Sequence, residues 1–154
     1  MNSASQFTSF LRKDLASYSK ELEQFPDDKT IWEIMPGIKN SVGVLVQHIL
    51  GNLNYFIGGI LGKTGYERNR DAEFLVSDKT REQLKKELSE TSAMVEKVLA
   101  NVPDEKLSED FPVQLGGTTL ETRIFLMRLC SHSSYHLGQA NYLRRILTDT
   151  PAAK

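Results

Sequence analysis

Two histidines near the C-terminal end of the chain have the spacing of metal ligands. His132 and His136 belong to the run Cys130-Ser131-His132-Ser133-Ser134-Tyr135-His136-Leu137-Gly138-Gln139. Residues four apart on a helix share one face, about one turn and roughly 6 Å apart, so both imidazoles can reach one ion. Leucines of the same stripe face the core. Burying two imidazoles there destabilises the protein unless their ring nitrogens have hydrogen-bond or metal partners. The spacing favours a metal site, with a hydrogen-bonded polar cluster or chance as alternatives.

His48, the third histidine of the chain, is the candidate for a third ligand. It falls on the inner side of an apolar helix pattern. Neutral imidazoles suit Zn²⁺, Ni²⁺, Cu²⁺ and Fe²⁺, and three of them with a free fourth position are typical of catalytic rather than structural zinc sites. An ion with three neutral ligands keeps most of its charge and lowers the pKa of a bound water or thiol.

No acidic residue has a ligand spacing with these histidines. Glu121 lies eleven residues before His132, and the helix that carries His48 contains no carboxylate. This disfavours a two-metal site, and the lack of a positioned general base disfavours a metalloprotease-type hydrolase. Cys130 lies about 200° round the helix from His132, so we expect it to pack rather than bind the ion.

Four helices must position these residues, because apolar side chains recur every three or four positions in four segments. The predicted helices are Ser5–Phe25, Ser41–Leu61, Ser77–Val102, and a fourth from Thr118 or Thr119 to Leu147. The predicted capping residues are Ser77 or Asp78 for the third helix and Glu121 for the fourth. A small hairpin or irregular turn is expected within residues 106–119. The fold class is therefore all-α, a four-helix bundle, and the long connection 62–74 favours a crossover over simple hairpins.

Length and charge restrict the class of protein. The 154 residues fit one domain spanning 1–154, and 19 basic against 20 acidic residues leave a net charge of -1. That balance offers no basic surface for nucleic acid or for a membrane. A single cysteine excludes an intrachain disulfide, and the first six residues lack a secretory pattern. We expect a cytoplasmic protein.

The segment 40–62 carries no charged residue over 23 positions and is long enough to cross a bilayer. Its polar side chains would each be costly in hydrocarbon, and five glycines dilute the rest. These polar residues are Gln47, His48, Asn52 and Asn54. The segment is therefore predicted to be a buried bundle helix and not a membrane span.

Several residues of this region need a structural reason. Gly51, Gly58 and Gly59 lower helix propensity, which indicates either close approach by another helix or room for a ligand. Trp32, the only tryptophan, is interpreted as a hydrophobic plug at one end of the bundle, with a pocket wall as the alternative.

Three motifs together resemble the DinB (YfiT-like) family of metalloenzymes. They are His48 within Leu45-Val46-Gln47-His48-Ile49-Leu50-Gly51-Asn52, the connection Arg68-Asn69-Arg70-Asp71-Ala72-Glu73-Phe74, and His132-Ser133-Ser134-Tyr135-His136-Leu137-Gly138-Gln139. Each motif is weak alone, but the combination is fairly specific and spans nearly the whole chain in order.

The resemblance implies a four-helix bundle with a long crossover, often a homodimer. It implies a divalent metal ion, Zn²⁺ or Ni²⁺, bound by His48, His132 and His136. Family members include S-transferases that use low-molecular-weight thiols and an isomerase that uses mycothiol, so a small-molecule substrate is expected.

Six further residues are candidates for substrate contact or for orienting the ligands. Asn52 lies one turn from His48 and Gln139 one turn from His136, where either could orient an imidazole. Arg68 and Arg70 could clamp a carboxylate of an anionic thiol or could tie their loop to Glu67, Asp71 and Glu73, and the second reading is favoured. The remaining two candidates are Tyr55 and Tyr135.

Three hypotheses follow from these patterns. The first is a metal-dependent enzyme, thiol-dependent and S-transferase-like or hydrolytic, with a metal-bound thiolate or hydroxide as nucleophile. The second is a non-catalytic metal-containing binding or stress-response protein of the same fold. The third is a structural bundle whose histidines bind nothing.

Overall fold

The computed structural model describes residues 3–149 and contains four long helices. They are α1 (Ser5–Glu23), α3 (Val42–Leu53), which continues as a π-helix over Asn54–Leu61, α4 (Arg81–Ala100) and α5 (Thr122–Asp149), with a short α2 (Asp28–Ile31) after α1. Two 3₁₀ turns, Ala72–Phe74 and Asp104–Ser108, lie in the connections. Met1 and Asn2, part of the stretch considered for a secretory signal, lie outside the described residues, as do residues 150–154.

The four helices form the predicted all-α bundle, with α1 and α3 at opposite corners because each packs on both α4 and α5. The crossover is evident from α3 and α4, which run parallel. Asn54 donates to Thr91 over 2.8 Å, and four residues further along Gly58 faces Met94. The connection 62–80 must therefore return along the bundle, and in doing so it passes beside α3.

Helix α5 runs antiparallel to α3 and parallel to α1. Phe56 packs on Phe125 with ring centroids 4.9 Å apart. On the α1 side, Ser134 donates to Asp14 over 2.7 Å, and the Tyr18 hydroxyl donates to the Ser133 carbonyl over 2.8 Å. These contacts hold the turn of α5 that carries the two later histidines.

The apolar helix is a core element of the bundle. Val42–Leu61 is long and apolar enough to cross a membrane, but 67% of its most apolar 18-residue stretch is buried in the protein. Its N-cap is Ser41, whose hydroxyl accepts from the Val44 amide. Its second half is wider than an α-helix, and there the Asn54 side chain donates to the Leu50 carbonyl and competes with regular backbone bonding.

Two predicted helix starts were wrong. α4 is capped by Thr80, which forms a capping box with Gln83, and not by Ser77 or Asp78. The residue before the cap, Lys79, instead accepts the Trp32 indole N–H through its carbonyl.

The fourth helix starts at Thr122 and not at Thr118 or Thr119. The preceding residues are held by backbone pairing across an irregular turn, which lies in the segment where a hairpin or turn was expected. Phe111 donates to Leu120 and Thr122 donates to Glu109, each over 2.8 Å.

Trp32 has the position of the predicted plug. It is buried, and a Cβ on Gly43 would overlap its ring, so the glycine at the start of α3 allows the indole to close that end of the bundle.

Candidate metal centre

The three histidines converge between α3 and α5. Nε2 of His48 lies 2.9 Å from Nε2 of His132, and one potential ligand atom from each of the three histidines lies within 4.8 Å of the other two. Two nitrogens bound to one tetrahedral zinc at 2.0–2.1 Å are about 3.3 Å apart. A small adjustment of the rings would therefore allow all three to bind one ion.

Local helix geometry accounts for the convergence. His132 and His136 lie one turn apart on α5, with ring centroids separated by 4.5 Å. His48 reaches them from the antiparallel α3, at 5.0 and 5.1 Å between centroids. His48 is 5% exposed whereas the other two are half-buried, so the cluster is closed on the α3 side and accessible on the α5 side.

Glu73 is a partner of the cluster that the sequence analysis did not find. Its Oε2 atom lies 2.9 Å from Nδ1 of His48, and both side chains are buried. The carboxylate accepts the Nδ1 proton, which leaves the His48 Nε2 lone pair directed toward the other histidines. The expectation that no carboxylate lies beside the histidines was wrong, although Glu73 contacts the outer nitrogen and is not a ligand atom of the cluster.

Arg68 fixes the Glu73 carboxylate. Its Nε lies 2.6 Å from Oε1 and its Nη2 lies 2.9 Å from Oε2, which is a bidentate pair. Arg68 was considered either as a clamp for a ligand carboxylate or as a tie within its own loop. The structure shows the tie, and the partner is Glu73, one of the three acidic residues considered. The guanidinium also lies over the Tyr55 and Phe56 rings, at 5.8 and 5.5 Å.

Gly51 makes room for this carboxylate. A Cβ at position 51 would overlap the Glu73 side chain, so any residue other than glycine at this position would displace the carboxylate. Gly58 and Gly59 have a different reason, because they face Met94 of α4 and the backbone of Tyr66. Close approach by another helix therefore applies to Gly58, whereas Gly51 and Gly59 are approached by the connection 62–80.

The second ligand-bearing helix supplies its own orienting group. Nδ1 of His136 lies 2.7 Å from Oε1 of Gln139, as expected for a residue one turn away. This contact engages Nδ1 and leaves Nε2 for the cluster.

Burial favours the neutral imidazole at two members of the cluster, His48 and His132. Burial lowers the pKa of His48 below its ordinary 6.5, although the hydrogen bond and charge of Glu73 oppose this shift. Burial, then the neighbouring imidazoles of His136 and His48 and the Arg68 guanidinium, lower the pKa of His132 to about 4. Neutral imidazoles have the lone pairs that metal binding requires.

The other candidate residues lie around the cluster. Asn52 is buried, and its Oδ1 has no hydrogen-bond partner among the described residues. Tyr135 is 64% exposed, with its ring 5.2 Å from that of His136. Arg70 lies over Phe74 at 5.4 Å, and the Phe74 ring lies 4.7 Å from the His48 ring and is tilted by 35° to it. Cys130 is half-buried outside the cluster, as expected for a packing residue.

Comparison with known proteins identifies the fold. A sequence model of the family described as "Protein of unknown function (DUF1572)" matches residues 2–152. A conserved protein from Enterococcus faecalis has a similar solved structure, with a TM-score of 0.77 and 16% identity over 97% of this chain and 98% of that chain. A DinB-like protein from Bacillus cereus ATCC 10987 has a TM-score of 0.65 and 24% identity over 88% and 89%. A search of curated proteins found no match. The structural similarities confirm the DinB-like fold that the resemblance implied.

Proposed function

The chain belongs to the DUF1572 family of proteins of unknown function, and from that premise we propose that it binds one divalent metal ion through His48, His132 and His136. One observation supports this most directly. The buried Glu73 engages the outer nitrogen of His48, which turns the inner nitrogen toward His132 at 2.9 Å. A carboxylate behind an imidazole is the usual partner of a histidine ligand.

The donor set favours Zn²⁺ or Ni²⁺. Three neutral imidazoles suit both ions, and the cluster offers no fourth protein ligand among the described residues. When bound, such an ion would lower the pKa of a small thiol or a water at its open position. The half-buried His132 and His136 leave the α5 side of the cluster accessible to a small molecule.

We propose that the protein is an enzyme that joins a low-molecular-weight thiol to an electrophile. The residues around the cluster exclude water from the α3 side, orient His48 and His136, and leave one face open. Glu73 is tied to Arg68 and His48, so it is not free to act as a general base for hydrolysis. The alternative is a metal-containing binding or stress-response protein of the same fold, without turnover.

We also propose a cytoplasmic homodimer. The resemblance to the DinB family implies the dimer, and the outer face of α5 carries exposed apolar side chains at spacings of three to eight residues. They are Ile124, Met127, Tyr135, Tyr142 and Ile146. Such a stripe on one helix is suited to packing on a second copy.

Metal analysis tests the binding proposal. Purified protein is loaded with Zn²⁺ or Ni²⁺, dialysed, and analysed for metal by mass spectrometry. We expect about one ion per chain in the wild type and in the control Cys130→Ser, and loss of metal in His48→Ala and His136→Ala. Equal metal content in all four proteins would contradict a three-histidine site.

Turnover separates the enzyme from the binding protein. The metal-loaded protein is incubated with low-molecular-weight thiols and a panel of small electrophiles. Thiol conjugation above the rate of the metal-free protein supports the enzyme, and its absence from a fully loaded protein supports the non-catalytic alternative.

A further inference from the structure

A cavity of about 380 Å³ lies beside the histidine cluster. Its wall is mainly apolar and is formed by Phe56, Phe125 and Leu129, with Leu115 contributed by the segment before α5. His132 lines the same cavity, so a molecule held there lies against its imidazole. The volume falls in the range of small-molecule sites.

Asn52 is a buried polar group in this apolar cavity. Its side chain lines the cavity and is 7% exposed, and its Oδ1 atom has no partner within residues 3–149. Buried amide oxygens in proteins are normally hydrogen-bonded, either to protein or to an ordered water. An N–H or O–H group of a bound molecule would satisfy this oxygen.

Arg128 supplies a charge at the exposed end of the same cavity. It lies one turn before His132 on α5, and its side chain is exposed. Arg68 and Arg144 are paired with Glu73 and Glu21, whereas Arg128 has no carboxylate partner in the described part of the chain. A guanidinium in this position is suited to a carboxylate.

We propose that this cavity binds a small aromatic carboxylate that also carries a hydrogen-bond donor. Its ring packs on Phe56 and Phe125, its carboxylate pairs with Arg128 at the mouth, and its N–H or O–H donates to Asn52 on the buried side. As a substrate class this rests on the proposed function, because the bound molecule lies against His132. Binding itself needs no metal.

Three compounds separate the two polar contacts. Indole-3-acetate has both the carboxylate and an N–H, 1-naphthylacetate lacks the N–H, and 3-methylindole lacks the carboxylate. Each is titrated by calorimetry into metal-free and zinc-loaded protein. We expect indole-3-acetate to bind most tightly, and each missing group to weaken binding about tenfold.

Variants assign each contact to a residue. Asn52→Leu should weaken indole-3-acetate about tenfold and leave 1-naphthylacetate unchanged within about twofold. Arg128→Gln should weaken both carboxylates about tenfold and leave 3-methylindole unchanged. Arg123→Gln, an exposed arginine of α5 outside the cavity lining, is the matched control and should change none of them.

The outcomes distinguish this inference from the metal proposal. Absence of saturable binding of indole-3-acetate at millimolar concentration, or binding that is equal in all variants, overturns the cavity assignment even if zinc binds normally. The expected pattern in a protein that takes up no metal supports the cavity and overturns the metal proposal alone. If Asn52→Leu does not fold, the wild-type comparison of the compounds and the Arg128→Gln arm decide the question.

Discussion

Glu73 reaches His48 from the crossover connection, with its Oε2 atom 2.9 Å from Nδ1 of the imidazole. The two residues are twenty-five positions apart and come from an irregular segment and from α3. The parallel arrangement of α3 and α4 forces the connection to return along the bundle, which places Glu73 over the turn that carries His48. The long connection therefore contributes directly to the candidate site.

Removing the Glu73 charge should weaken metal binding and the fold together. In Glu73→Gln, His48 loses a charged partner and Arg68 is left without its carboxylate. Loss of such an orienting partner lowers metal affinity by about 10- to 100-fold. Breaking a buried ion pair costs about 3 kcal/mol of unfolding free energy. Zinc affinity is measured against a competing chelator, and stability by urea unfolding of the metal-free protein.

Glu67→Gln is the matched control for this prediction. Glu67 is an exposed acidic residue of the same connection and should change neither quantity. An unchanged zinc affinity in Glu73→Gln would show that the Glu73–His48 contact does not orient the ligand.

Gly51→Ala should destabilise the protein, which is the reverse of the usual effect of alanine in a helix. A Cβ at this position overlaps the Glu73 carboxylate and must displace it from His48. Gly138→Ala on α5 is the control, because nothing among the described residues lies within 4 Å of its added Cβ. We expect Gly138→Ala to raise the free energy of unfolding by about 0.5–1 kcal/mol. Gly51→Ala should lower both the free energy of unfolding and the affinity for zinc. A gain in both variants would contradict the close packing at position 51.

The spacing of apolar residues predicted those features of the fold and site that depend only on regular helices. The apolar spacing located the four helices, and the four-residue interval placed His132 and His136 on one face, where the structure has them. The inward line of the second predicted helix placed His48, which is buried as expected. Helical geometry is local, so one sequence is sufficient for these features.

Contacts made by irregular segments could not be predicted in this way. The start of α4 was misplaced although the Thr80–Gln83 capping box is a local signal. The hydrogen bond from the Trp32 indole to the Lys79 carbonyl, by contrast, joins residues forty-seven positions apart and could not be predicted. Glu73 was missed as a partner of His48 for the same reason, since no helical or strand spacing relates the two. One signal was Gly51, a costly residue in a core helix, and its reason became clear from the structure.

The metal-free protein should lose stability as the pH falls from about 6.5 to about 4. The unfolded chain takes up a proton at His132 near its ordinary pKa of 6.5, whereas burial lowers the folded pKa to about 4. The stability contribution of the neutral imidazole is therefore complete above pH 6.5 and is lost through this window. At about 1.4 kcal/mol per pKa unit the loss approaches about 3 kcal/mol. The lowered pKa of His48 acts in the same direction.

The difference between the wild type and His132→Gln isolates this effect, because other titrating groups are common to both. Urea unfolding at a series of pH values should show that the free energy of unfolding depends less steeply on pH in the variant. Parallel curves between pH 4 and 6.5 would show that His132 titrates normally in the folded protein.

Cys130 should be chemically inert in the folded protein and dispensable for metal binding. Burial, then the nearby charge of Asp14, raise the pKa of its thiol to about 11. Because the thiolate is the reactive form, alkylation by iodoacetamide at pH 8 should be much slower in the folded protein than in urea. Cys130→Ser should bind as much zinc as the wild type, since Cys130 lies outside the three-histidine cluster. Rapid labelling of the folded protein that zinc suppresses would instead place the thiol at the ion and add a fourth ligand to the site.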